Sequence, residues 1–413
     1  MRIEFRSFLL PAFLVLTLIS APVAYAELAD VGPIDPVGGY PQWYMDTNGV
    51  ALEMCTDVAG FCVPDPVDPN NPASVAAGFG DEAFYWAGEA TANGANGESC
   101  LLVLALEAAW GGAGTPAPGR QIVFSRVRLR CTGLQAGGAY TLVTPFQDRR
   151  IQAQPDAVNG PFLINFTSDQ ISNAANGFST PLRSPNVGPF LTAANAPAGF
   201  LGNAVGLSTV TGGTNGNSFS LLSPGGATVV STNLFTIQGK LATNGGLQGV
   251  GATLSRNLDG TGTIAVRASS IGGQRIFATG VGATATRLAP IAGRVGRYSA
   301  SIPIAAGDVF TPLTVVNRTD ASRPSRTLNQ VSDVVTIQSA TFDGATLSVR
   351  ASSSDQLPRA QGGPRLEVLN GGQSLGFLNA RGVFNLATTV GPARITVRST
   401  GGGSDSARVV SVP

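Results

Sequence analysis

No histidine occurs in the 413 residues. Its absence excludes Ser-His-Asp and Cys-His nucleophilic mechanisms, which need imidazole as the proton acceptor, and removes the commonest ligand of zinc and non-haem iron sites. Charge is scarce too: Asp, Glu, Lys and Arg make up 12% of the chain, and 26 Lys+Arg against 25 Asp+Glu leave a net charge of +1. No global field exists to draw nucleic acid or an anionic membrane surface. Nucleotide binding fails as well, because the chain has no G-x-x-x-x-G-K-[ST] and its glycines sit in strand-turn contexts. No catalytic residue, metal ligand or cofactor is assigned.

What is present points to export. Arg2 and Arg6 precede an apolar run from Phe8 to Ile19 and a small-residue exit at Ala24-Tyr25-Ala26, the pattern of a signal peptide cleaved after Ala26. An uncleaved anchor would need about 20 apolar residues, and Pro11 and Pro22 interrupt a shorter run. No second apolar span of membrane length follows, nor any sorting motif or anchor tail. The mature chain is expected to be secreted, periplasmic or held at the cell surface, with no transmembrane segment.

Cys55, Cys62, Cys100 and Cys131 all lie in the first third of the chain, and an even number in an exported protein reads as disulfides. Three connectivities are open; Cys55–Cys62 and Cys100–Cys131 are favoured, the first closing a short loop and the second stapling neighbouring strands. The spacing contains no C-x-x-C, which argues against a metal.

The stretch from Gly32 to Cys62 concentrates prolines, aromatics, a turn and two cysteines. Asp46-Thr47-Asn48-Gly49 predicts a hairpin between Gln42–Asp46 and Val50–Cys55. The prolines from Pro64 to Pro72 exclude helix and central strand there. Phe79–Ala90 and Cys100–Trp110 read as strands, as does Gln121–Cys131, where Val123, Val127, Leu129 and Cys131 share one face and Arg126, Arg128 and Arg130 the other, beside Ile122 and Phe124. That arginine stripe suits an anionic sugar or partner, but a solvated face paired with acids is the favoured reading. Gly133–Leu142 carries the signature of a tyrosine corner at Tyr140. GPFL at Gly160–Leu163 and again at Gly188–Leu191 marks two strand entrances, and Asn233–Leu241 reads as the last strand of the first domain.

An internal repeat follows. Asp259–Ser270 is matched by Asp343–Ser353, each ending in V-R-A-S-S; Gly296-Arg297-Tyr298 by Gly382-Val383-Phe384; and Leu313-Thr314-Val315 by Ile395-Thr396-Val397. Three blocks in one order predict two tandem immunoglobulin-like modules. A β-solenoid would repeat every 20–30 residues or so; this repeat is several times longer. The expected fold class is all-β: signal peptide 1–26, a disulfide-stabilised β-sandwich-like domain 27–241, and Ig-like modules at 245–330 and 331–413.

The blocks GPIDPVGGYPQWYMDTNGVALEMC, DEAFYWAGEA, LLVLALEAAW, GLQAGGAYTL, APAGFLG and NLFTIQGKL together resemble an uncharacterised family of exported bacterial proteins that couple this N-terminal region to Ig-like repeats. The resemblance covers roughly residues 31–240. It implies an organisation, not an activity, and carries over no catalytic or binding residue.

Three constellations remain. Asp81, Glu82, Glu89 and Glu107 are candidates for the carboxylate pair of a glycosidase. Asp46, Asn48 and Asp57 mimic calcium-loop positions, but Ala51 stands where the loop needs glycine, so the hairpin explains Asp46 better. Trp43, Tyr44 and Trp86 are possible stacking residues for a ligand, as are Tyr40, Tyr85 and Trp110, although a core role suits most of them. The expectation is an exported, non-enzymatic binding or structural protein whose partner is an unknown surface protein or glycan; the alternative is a carbohydrate-active enzyme.

Overall fold

The computed structural model describes residues 28–57, 60–154, 163–280, 284–308 and 312–413. The expected signal peptide and most of the first GPFL copy lie outside them. Among the described residues the fold is all-β, in five sheets.

The N-terminal domain pairs a large sheet with a small one. The large sheet runs in the order Leu28–Val31, Tyr44–Asp46, Ala51–Glu53, Leu234–Leu241, Glu82–Asn93, Ser99–Trp110, Gln121–Thr132, Ile164–Asn173, with Thr192–Ala193 and Ser208–Thr211 alongside. The small sheet is Thr228–Thr232, Phe219–Leu222, Ala139–Val143, Asp148–Gln152. Val123, Val127, Leu129 and Cys131 are fully buried on the face predicted for them, and they join Tyr140, Leu142, Phe219 and Leu221 in the domain's core. Burial of one face fixes the register, because a one-residue slip would turn every arginine inward. The strand at 234–241 closes the domain in sequence but inserts between the hairpin and Glu82–Asn93.

Local signals explain most elements. Asp46 Oδ1 accepts from the amides of Asn48 and Val50, each at 2.9 Å, and Gly49 takes φ 83° in the turn, the positive φ that glycine adopts without strain. The Gln135 amide donates to Tyr140 Oη at 3.1 Å, forming the tyrosine corner. Leu163 and Leu191, closing the two GPFL copies, each directly precede a strand. Both disulfides form as favoured, Cys55–Cys62 and Cys100–Cys131, the latter across directly opposed strand positions. One expectation is corrected: Pro72 does not end a helix-free loop but opens the helix Pro72–Ala77, with Asn71 Oδ1 accepting from the amides of Ala73 and Ser74. Proline at the first helical position lacks only an amide that would be orphaned anyway.

The two modules share one topology. In the second, Val335–Phe342, Thr346–Ser353 and Val383–Ala387 form one sheet, and Leu366–Asn370, Gln373–Phe377, Arg394–Ser399 and Ser404–Arg408 the other, an Ig-like sandwich. In the first, Thr286–Pro290 bridges the corresponding groups into a continuous sheet. All three repeat blocks fall on corresponding strands. Their register differs, however: Arg267 opposes Ser299, whereas Arg350 opposes Val383, the residue matched to Arg297. The V-R-A-S-S segment is therefore displaced by two residues against its neighbour, and an even displacement keeps every side chain on its face.

Neither junction is slack. Trp43, Met45 and Ala51 of the first hairpin bury against Ile271 of the first module, while Arg297 pairs with Asp30 at 3.0 Å and Gln248 Nε2 donates to the Val31 carbonyl at 2.9 Å. Between the modules, Arg256 Nε donates to Asp355 Oδ1 at 3.0 Å. The connecting Asp333 is buried, accepting from the Gly403 amide at 3.0 Å and from the Ser353 hydroxyl.

Candidate functional site

Of the four candidate acids, the fold brings two together. Glu82 lies opposite Ala109, and Glu107 opposite Phe84 on the same pair of strands, so both carboxyls project from one face of the large sheet. Glu107 hydrogen-bonds the Glu82 carboxyl and sits 3.0 Å from Arg126 Nη1. Arg126 in turn grips Asp169, directly opposite it, through Nε at 2.9 Å and Nη2 at 2.8 Å. Its guanidinium also lies 4.6 Å over the Phe124 ring, a stacking that guanidinium groups favour.

Burial drives the chemistry of this cluster. Only 3% of the Glu107 side chain is exposed. Desolvation, followed by the bond to Glu82, pushes its pKa up to about 9 against the opposing pull of Arg126. Burial and Glu82 thus favour the protonated form of Glu107, while Arg126 makes its two-pronged contact with Asp169. Two carboxyls in hydrogen-bond contact leave no room between them for a scissile bond, which a glycosidase pair straddles at about 5–9.5 Å. The cluster instead ties four neighbouring strands together across their outer face.

The other two acids stand apart. Glu89 is exposed, and desolvation raises its pKa with Arg128 pulling it down. Asp81 faces a cavity beside Trp110 and Pro116. Arg128 donates through Nε to Thr167 at 3.3 Å, and its pKa is lowered by burial and by Arg126 and Arg130 on either side. The stripe is thus partly spent on neighbouring acids, as favoured.

The stacking candidates are corrected outright. Trp43, Tyr44 and Trp86 have no exposed surface, so none offers a ring to a ligand. Their polar tips are satisfied inside the protein: Trp43 Nε1 donates to the Gly245 carbonyl at 2.9 Å, Tyr44 Oη to Phe178 at 2.8 Å and Trp86 Nε1 to Leu191 at 3.1 Å. Tyr40, Tyr85 and Trp110 are buried with them. The calcium motif is occupied by the protein itself, since Asp46 Oδ2 also accepts from the Phe190 amide at 3.0 Å.

Sequence reasoning missed the charged residues that seal the junctions, Asp30, Arg256, Arg297, Asp333 and Asp355, because nothing in their local sequence marks a partner so distant in the chain. It also missed a second tyrosine device. Tyr298 Oη accepts from the Gln274 amide at 2.9 Å and donates to the Ile271 carbonyl at 2.7 Å.

No family model and no curated protein matches the chain. Among solved structures it is similar to part of a 1.5-MDa bacterial ice-binding adhesin, at 10% identity over 70% of this chain and 91% of that one, with a TM-score of 0.16. It is also similar to the I9–I11 tandem of titin, at 10% identity over 70% and 93% with a TM-score of 0.15, and to the immunoglobulin domains 1–5 of Sidekick-1, at 11% over 78% and 81% with a TM-score of 0.14. At these TM-scores the likenesses carry no assignment, and the Ig-like topology rests on the strand order itself. Among the described residues no helix is long and apolar enough to cross a membrane.

Proposed function

We propose that the protein is exported and works as a non-enzymatic binding or structural protein of the cell exterior, organised like the family its N-terminal blocks resemble. The observation that carries the reading is the pair of sealed junctions, where a buried tryptophan and two ion pairs join three bodies that Ig-like strings commonly leave to swivel. Two formed disulfides suit an oxidising compartment. The test is to capture glycans and proteins from cell surfaces with the full mature chain while assaying it against a panel of glycosides. Specific capture without hydrolysis supports the reading; hydrolysis that Glu107→Gln abolishes defeats it.

A second reading, the carbohydrate-active enzyme, has one feature in its favour: burial and Glu82 push the pKa of Glu107 upward, the direction a general acid needs. Its burial, its contact spacing and its engagement by Arg126 argue against it.

A further inference from the structure

A groove of about 850 Å³ opens on the second module at its junction with the first, within the roughly 300–1,000 Å³ of small-ligand sites. Its walls combine two kinds of side chain. Leu258 and Leu357 supply apolar surface above the buried Leu366 and Leu378, while Arg350, Arg359 and Arg381 also line it. Arg350 and Arg381 are exposed, and among the described residues neither forms an ion pair. The one carboxylate of the lining, Asp355, is consumed by Arg256. The groove is therefore cationic and amphipathic, and among the described residues no aromatic ring lines it.

The first module shows what such a corner accepts. Its counterpart is the turn Gly293–Gly296, equivalent to Asn379–Gly382: the Ser270 amide donates to the Gly296 carbonyl at 2.9 Å, as the Ala351 amide does to Gly382 at 3.0 Å. There the strand Leu28–Val31 and the first hairpin of the N-terminal domain occupy the corner. Asp30 meets Arg297 at 3.0 Å, and Trp43 and Met45 pack on Ile271. A carboxylate and apolar side chains carried on extended backbone pack on the first corner and leave a cavity of about 270 Å³ there, against about 850 Å³ at the second.

We propose that this groove receives an extended acidic peptide segment of a partner protein, carboxylates toward Arg350 and Arg381 and an aliphatic side chain against the leucines. The assignment rests on the binding reading above and names the partner's chemistry. An acidic polysaccharide fits less well, because sugar rings are held on aromatic platforms that this lining lacks. Charge complementarity of this kind sets partner choice and makes binding salt-sensitive.

The test titrates the full mature chain into a short fluorescein-labelled peptide alternating aspartate and leucine, read by anisotropy. Expected are saturable binding that weakens as salt rises, a loss of about tenfold for Arg350→Ala/Arg381→Ala, and no change for Arg267→Ala, an exposed arginine at the same motif position of the first module. Both substituted arginines are solvent-facing, so the variant is expected to melt like the parent. Absence of saturable binding, equal binding of a lysine-leucine peptide, indifference to the double substitution, or competition by oligogalacturonate at equal strength would each overturn the assignment. None of these outcomes touches the hydrolysis assay on which the non-enzymatic reading stands.

Discussion

The indole of Trp43 donates its Nε1 hydrogen to the carbonyl of Gly245 at 2.9 Å, linking the first hairpin of the N-terminal domain to the residue that leads into the first module. The ring is wholly buried, and Gly32 passes so close that an added Cβ would stand 2.8 Å from it. Of the aromatics in the opening stretch, Trp43 thus serves this joint, while Tyr40 and Tyr44 pack in the core of the N-terminal domain.

Trp43→Ala should lower stability by about 3–5 kcal/mol, the usual cost of removing a buried aromatic. Trp43→Phe keeps most of the packing but strands the Gly245 carbonyl, for a smaller loss on the order of 1 kcal/mol. Urea melts of both variants separate the two terms; a Phe variant as damaged as the Ala variant would show that the hydrogen bond, not the packing, holds the joint.

Arg256 and Asp355 seal the second junction, with 17% and 4% of their side chains exposed. Arg256→Ala leaves a buried carboxylate without its counter-charge and should cost about 3–5 kcal/mol. Arg256→Ala/Asp355→Ala should recover part of that loss, since no orphaned charge remains. A double-mutant cycle by calorimetry measures the coupling. Additive single losses would mean that the pair is ornamental to the joint.

Legibility in the sequence followed burial. Gln121–Thr132 declared itself because one face packs on a core, so its apolar residues alternate. Ile164–Asn173 did not, because an edge strand that buries little beyond Ile164 and Ser172 carries polar residues on both faces. The tandem modules were readable from their repeat, but the two-residue displacement between them depends on pairing that no local pattern records. The convergence of Glu82 and Glu107 was hidden for the same reason: it depends on antiparallel register and on a bulge between Phe84 and Trp86. Partners more than 90 residues apart, such as Arg256 and Asp355, leave no trace in periodicity.

The two disulfides should contribute unequally. Cys100–Cys131 closes a separation of 31 residues and Cys55–Cys62 one of 7. If cross-links act chiefly by restricting the unfolded chain, the longer loop is worth about 1.3 kcal/mol more. Cys100→Ala/Cys131→Ala should therefore destabilise by about 2–5 kcal/mol, and Cys55→Ala/Cys62→Ala by less. Chemical denaturation of the two double variants decides the order, and the reverse order would place the clasp of the domain at its entrance loop.

Glu107 makes stability depend on pH in a defined direction. Burial and the bond to Glu82 raise its folded pKa from 4.5 to about 9, so the native state binds a proton that the unfolded chain releases. Its contribution is complete at pH values below the unfolded pKa and is lost as pH rises toward the folded one. Asp65, raised by burial and by Glu82, adds to the same trend. The denaturation midpoint should fall between about pH 5 and about pH 9. Glu107→Gln, which keeps the shape and hydrogen-bonding capacity but cannot ionise, should flatten that fall and surpass the parent at the alkaline end. An unchanged slope in the Gln variant would mean that Arg126 holds Glu107 ionised, and the outer-face cluster would then be a plain Glu–Arg–Asp ion triad.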